Sequence, residues 1–259
     1  MSLSHKISRY SSLISHFKNW PQFLFFKMGG KGVFSFRLKN GFQIDVPRKM
    51  MPPFKESFFD RIYLKNFPDG QLKTEAPTVI DIGGNVGFFS LFMLSQFPKA
   101  KVVAFEPMPF NFKQLAHYQK TYADLDWTIE NKAVSSNRDG IKLFSSTLDG
   151  FSTMASVFTD QGKGEEINVE TVVFGDVVET HKLDKVDLMK LDCEGSEYAI
   201  LYGMTDEQFN LVSNFSIETH PGQSGNQNHA ALVSFLKEKN YHLIDQMNND
   251  GTGYIWAWS

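Results

Sequence analysis

In TVIDIGGNVGFFS, residues 78–90, Asp81, Gly83, Asn85 and Gly87 stand at alternate positions. The β-branched run before them reads as a strand, and the loop that follows is nearly free of side chains, so a ligand can approach its backbone closely. An acid at the strand exit suits a cationic group, while N–H groups at the start of the next helix suit a carboxylate. S-adenosylmethionine carries an ammonium, a sulfonium and a carboxylate. A dinucleotide fingerprint is a poorer match, because Ile82 stands where its first glycine belongs, and no Gly-Lys-Ser/Thr follows to make a Walker loop. Asn85 is among the few non-glycine residues that tolerate left-handed backbone angles. Glu106 comes 19 residues after Gly87, where a carboxylate can accept both ribose hydroxyls, and Pro107 and Met108 can flank an adenine face.

Farther along, VDLMKLDCEGSEY puts Lys190, Asp192 and Glu194 at alternate positions, hence on one face of a strand or its extension. Charges on a covered sheet face are retained mainly when paired or functional. FSIETHPG adds Glu218 and His220, again two apart at a strand end. Side chains of these types can serve as a general base for a bound hydroxyl. His220 and Asp192 are the candidates, with Glu194 and Glu218 as orienting groups. Asp192, Glu218 and His220 would alternatively offer oxygen and nitrogen ligands to a divalent metal. Glu197 reads as a first-turn helix charge, and Cys193 as a buried packing residue.

The elements that must position these groups alternate. Strand-like runs TVIDI, KVVAFE, WTIENKAV, VDLMKLD, FSIETH, YHLIDQM and YIWAWS are interleaved with helical patterns at 87–97, 109–120, 197–203 and 228–239. This predicts an α/β fold, doubly wound on a mostly parallel sheet and Rossmann-like, with the site beyond the strands' carboxyl ends. IKLFSS and INVETVVF read as further strands flanking polar stretches, TLDGFSTMAS and DQGKGEE, that would form a lid or substrate loop. Residues 1–69 form an annex: a basic helix, a hairpin turning at Lys39-Asn40-Gly41, and a helix over 54–66, leaving residues 70–259 for the main domain.

At this point five motifs in order, VIDIGGNVGFFS, VVAFEPMPFNFKQL, NKAVSSNRDG, DLMKLDCEGSEYAILYGM and FSIETHPG, resemble the FkbM-type family of S-adenosylmethionine-dependent methyltransferases over about residues 70–225. The resemblance implies a seven-stranded sheet, S-adenosylmethionine as donor, and hydroxyl methylation of sugars or polyketide-type products. It carries cofactor binding onto Asp81, Gly83, Asn85, Gly87 and Glu106, and the adenine end onto Met108 and the stretch from Asn131 to Ala133. The acceptor expected is a sugar or glycan. A nicotinamide-dependent oxidoreductase would require the absent glycine and a hydride-site pair, and a non-catalytic cofactor-binding scaffold is the third class.

Composition agrees with a globular chain: 259 residues, 42% hydrophobic. Cys193 is its one cysteine, which excludes an intrachain disulfide framework. The absence of a signal-like amino end predicts a cytoplasmic protein. Charge is uneven: residues 1–44 hold seven Lys/Arg and no acid, leaving 19 basic against 29 acidic residues, a net −10, for the remainder. The acidic remainder argues against a nucleic-acid partner. Leu3, Ile7, Tyr10, Ile14 and Phe17 make one helical stripe, with Arg9 and His16 on the far side. Such a helix docks on the core or lies peripherally on a membrane.

Overall fold

The computed structural model describes residues 3–145, 155–156 and 165–259. The expected lid or substrate loop falls outside these, apart from the short ends of its two stretches. The annex comprises α1 (Leu3–His16), α2 (Trp20–Gly29), β1 (Val33–Arg37), β2 (Gln43–Pro47) and α3 (Met51–Lys55). There follow β3 (Thr78–Ile82), α4 (Phe88–Gln96), β4 (Lys101–Phe105), α5 (Pro109–Thr121), β5 (Trp127–Glu130), β6 (Ala133–Val134), β7 (Ile141–Ser145), β8 (Ala155–Ser156), β9 (Glu165–Val169) and β10 (Thr171–Val172). The remainder is α6 (Phe174–His181), β11 (Leu188–Leu191), α7 (Glu197–Tyr202), α8 (Asp206–Leu211), β12 (Asn214–Thr219), α9 (His229–Glu238), β13 (His242–Met247) and β14 (Gly253–Trp258).

Seven strands form one sheet in the order β13-β14-β12-β11-β3-β4-β5, in which β14 alone runs against its neighbours. The central strands are buried along almost their whole length, as continuous apolar runs covered on both faces must be. WTIENKAV divides: β5 joins this sheet, whereas β6 pairs with β10 outside it. β7 makes an antiparallel sheet with β8 and β9. INVETVVF is not one strand, because Phe174 opens α6, whose first-turn Asp176 accepts from the backbone of Val173. α8, like α2 and α6, is a helix that the sequence pattern does not predict; Thr205 and Gln208 cap it reciprocally.

One core lies between the annex and the sheet, joining Phe17, Phe36, Phe54 and Phe58 to Val79, Phe92 and Val102. Phe36 stacks on Phe54 at 4.4 Å between centroids, a contact worth about 1 kcal/mol beyond its buried area. The hairpin turns through Gly41, at φ = 103°. The stripe predicted for α1 is out of phase. Leu13 and Phe17 are buried, but Tyr10 and Ile14 are exposed, because Arg9 faces inward to pair with Asp60 and His16 meets Arg61. An internal ion-pair partner overrides the apolar periodicity there. The helix expected over 54–66 also breaks: α3 passes into a π turn at Glu56–Asp60, and Arg61 reverses the chain at φ = 49° before a 3-10 turn at Ile62–Leu64. Trp256 of β14 anchors that turn, its Nε1 donating to the Ile62 carbonyl at 2.8 Å.

Candidate active site

The loop after β3 is built against two neighbouring strands. Gly83 and Gly84 donate their N–H groups to the Phe105 carbonyl at 3.0 and 2.8 Å. Gly83 has φ = 78°, and a Cβ there would stand 1.8 Å from the Asp192 carbonyl oxygen, so only glycine fits beside β11. Asn85 adopts the left-handed conformation, at φ = 49°. The β4 exit closes the arrangement: Glu106 accepts the Asn85 N–H at 2.7 Å and the Met108 N–H at 2.8 Å. Burial nevertheless raises the Glu106 carboxyl to about 7.

These loops wall an open cleft. Gly83, Asn85, Glu106, Met108 and Ala133 line it, together with Asp192, Cys193 and Glu194 from the β11 exit. Met108, Ala133, Leu143 and Val169 form a small apolar cluster at one side, suited to a flat aromatic base. Asn131 acts from behind, its amide donating to the carbonyls of Glu106 and Pro107 at 2.8 and 3.1 Å. Gly87 precedes α4 and packs against Trp127 and Leu115 rather than the cleft. The residues fit S-adenosylmethionine: Glu106 for the ribose hydroxyls, the apolar cluster for adenine, and Asn85, whose buried Oδ1 has no hydrogen-bond partner, for the ammonium.

Asp81 does not reach the cleft wall. It is fully buried beneath the loop, accepting Ser90 Oγ at 2.6 Å and lying 3.2 Å from Lys190 Nζ. The strand register dictates that pair, since Asp81 and Lys190 are direct neighbours on β3 and β11. Lys190 Nζ also donates to the Gly83 carbonyl at 2.7 Å and lies 3.6 Å from Asp192. Burial opposes its charge, but Asp81 and Asp192 more than offset this and raise its pKa. Lys190 thus holds the loop from below, and the cation expected beside Asp81 is supplied by the protein.

Asp192 joins the cleft to a second, carboxylate-rich cluster. Tyr63 donates its hydroxyl to Asp192 Oδ2 at 2.8 Å. Glu218, opposite Tyr254 in the β12–β14 register, accepts its hydroxyl at 3.0 Å and is pushed up to about 8 by burial and by Asp192. Glu56 from the annex is raised by burial and by the same Asp192. Sequence reasoning passed over Tyr63, Glu56 and Tyr254, which no local motif marks and which only the tertiary register brings to Asp192.

Glu194 leaves the common face of Lys190 and Asp192, because the strand ends at Leu191 and Glu194 takes φ = 54°. Its carboxyl is raised to about 7 by burial. His220 lies between two carboxylates, with Nδ1 3.0 Å from Glu197 and Nε2 3.6 Å from Glu194. Burial lowers its basicity, but Glu197 and Glu194 prevail and raise it to about 10. It is therefore an imidazolium near neutral pH, not the free base that its position suggested. Glu197 is more than a helix charge: fully buried, it accepts the N–H groups of Cys193 and Gly195, both at 2.9 Å, as well as His220. Its place just after a strand exit, where backbone N–H groups lack partners, was the available signal. Cys193 is half-buried, packing against the core while also lining the cleft, and burial raises its thiol.

The metal alternative finds no converging set: among the described residues no three His, Cys, Asp or Glu groups are arranged for one ion, and both His220 nitrogens face carboxylates outside the Asp192, Glu218, His220 set.

Comparison with known proteins gives the same assignment. The family model described as the methyltransferase FkbM domain matches residues 81–243. The chain is 28% identical to Methyltransferase 1 of Beauveria bassiana over 182 residues, covering 63% of this chain and 71% of that protein. It is 25% identical to the 31-O-demethyl-FK506 methyltransferase FkbM of Streptomyces tacrolimicus over 193 residues, 64% of this chain and 73% of that one. The crystal structure of methyltransferase FkbM from Methylobacillus flagellatus KT superposes with a TM-score of 0.52 at 14% identity, covering 76% of this chain and 48% of that one. This chain spans about half the length of that solved protein, with which it shares the fold. With the glycine loop, Glu106 and the strand order in place, the chain belongs to the FkbM-type methyltransferase family.

Proposed function

We propose that the protein is an S-adenosylmethionine-dependent O-methyltransferase acting on a hydroxyl of a sugar or glycan. The observation that carries this reading is the position of Asp192, which lines the cofactor cleft and is held by Tyr63 and Lys190. Bound S-adenosylmethionine supplies a methyl group on a sulfonium leaving group. The protein must hold the acceptor oxygen about 3 Å from that carbon and in line with the leaving sulfur. Asp192 takes the hydroxyl proton as the bond forms. Glu56, Glu218, Tyr63 and Tyr254 give a polyhydroxylated acceptor several hydrogen-bonding partners, which supports a sugar. His220 as imidazolium balances the negative charge of the carboxylates around it. A polyketide-type acceptor is the second reading, favoured by the name of the Streptomyces tacrolimicus relative.

Calorimetric titration with S-adenosylmethionine tests the donor, and transfer of labelled methyl to sugar and polyketide panels tests the acceptor. Binding that Glu106→Ala weakens, with transfer to a sugar hydroxyl that Asp192→Asn abolishes, is the expected result. Transfer confined to polyketides would replace the sugar reading, and no binding by folded protein would overturn the donor.

A further inference from the structure

α1 and α2 carry large apolar side chains on their outer faces. Tyr10 and Ile14 stand one turn apart on α1, and Phe25 and Met28, 77% and 86% exposed, lie close together on the outer face of α2. Lys27 joins the two helices, its Nζ donating to the Tyr10 hydroxyl at 3.1 Å and lying 5.4 Å above the ring. Between the helices opens a cavity of about 680 Å³, with Leu13, Phe23 and Phe59 as apolar walls and Arg9, Lys27 and Lys55 as its cations. Arg9 pairs with Asp60; among the described residues no carboxylate pairs with Lys27 or Lys55. Burial, then Arg9 and Lys27, lower the Lys55 pKa, which marks a place where positive charge is crowded and an anion would relieve it.

This face lies within the segment whose first 44 residues carry seven cations and no acid, while the remainder is net −10. Charge is therefore divided along the chain, and its basic segment carries the two most exposed large apolar side chains among the described residues, Phe25 and Met28. Nucleic acid would answer the charge but leave Phe25 and Met28 without an apolar partner. A bilayer surface answers both. Among the described residues no helix is long and apolar enough to cross a membrane, so contact would be along the surface.

We propose that α1 and α2 dock the protein on an anionic phospholipid bilayer, with lipid phosphate between Lys27 and Lys55, and Phe25, Met28, Tyr10 and Ile14 at the acyl boundary. The inference does not depend on the acceptor assignment. Because Leu13 and Phe17 of this region belong to the core, surface substitutions rather than deletion of α1 are the proper test.

The full chain is sedimented with phosphatidylcholine vesicles, with and without phosphatidylglycerol, at low and high salt. The expected result is retention on the anionic vesicles that falls with salt and is about tenfold weaker on neutral ones. Phe25→Ser with Met28→Ser, and separately Lys27→Ser, should each weaken retention, the lysine change by about fivefold, at unchanged thermal midpoint. Equal retention on both vesicle types, retention by both variants at the wild-type level, or no retention at all would each overturn the proposal.

Discussion

Tyr63 and Asp192, 129 positions apart, are joined by a 2.8 Å hydrogen bond that ties the annex to the edge of the cofactor cleft. The bond fixes a carboxylate that lines the cleft, so a residue of the annex helps to shape that wall. Tyr63→Phe removes the donor and keeps the ring packed against Phe89. Loss of one hydrogen bond to a charged group costs about 1.5–3 kcal/mol, so kcat should fall by roughly 10- to 100-fold with S-adenosylmethionine affinity unchanged. An unaltered kcat would remove Tyr63 from the mechanism.

Glu106→Gln is nearly isosteric, but its amide nitrogen would face the N–H of Asn85 or of Met108. The loop conformation and the ribose contact are then lost together. Affinity for S-adenosylmethionine by calorimetry should fall by tenfold or more, about 1.4 kcal/mol, while the melting temperature changes little.

The buried acids and His220 make stability depend on pH in one direction. Glu106 and Glu194 titrate near 7, Glu218 near 8 and His220 near 10, all above their ordinary values. A raised folded-state pKa gives stability that is complete below the unfolded value and lost as pH rises through the folded one. For the carboxyls that window runs from about 4.5 to about 8 and for His220 from about 6.5 to about 10. The ligand-free protein should therefore melt at a lower temperature at pH 9 than at pH 6, by scanning calorimetry. A higher melting temperature at pH 9 would contradict these assignments.

His220 offers a direct spectroscopic check. Its imidazole resonances should remain in the protonated position well above pH 8, and Glu197→Gln should bring the titration down toward the ordinary histidine range. Titration near 6.5 in the wild-type protein would restore His220 as the base.

Gly83→Ala places a methyl group into the Asp192 carbonyl at a backbone angle that disfavours any side chain. Neither backbone can yield without separating β3 from β11, so a loss of about 3 kcal/mol or more is expected, read as a lowered urea midpoint.

The central strands and the glycine loop were legible because a covered parallel sheet demands uninterrupted apolar runs, and because a loop crossing a neighbouring strand demands glycine at Gly83. Met108 and Ala133, which the family resemblance assigns to the adenine end, lie on the cleft wall. What was misread depended on partners distant in sequence. α1 turned over because Arg9 found Asp60; Asp81 was taken by Lys190 across the register; and the Glu197 carboxylate raises the basicity of His220. No single segment contains those pairings. The short helix α8, with only six residues, offered too little periodicity to distinguish it from a turn.

The bond from Trp256 to the Ile62 carbonyl links positions 194 apart, and β14 also brings Tyr254 to Glu218. The donor cleft is lined by residues between Ile82 and Ser196 and is complete without β14. The carboxylate cluster around Asp192, by contrast, draws Tyr254 from β14 and Tyr63 from the annex, so a change at either end of the chain reaches that cluster while the lining of the donor cleft stays intact.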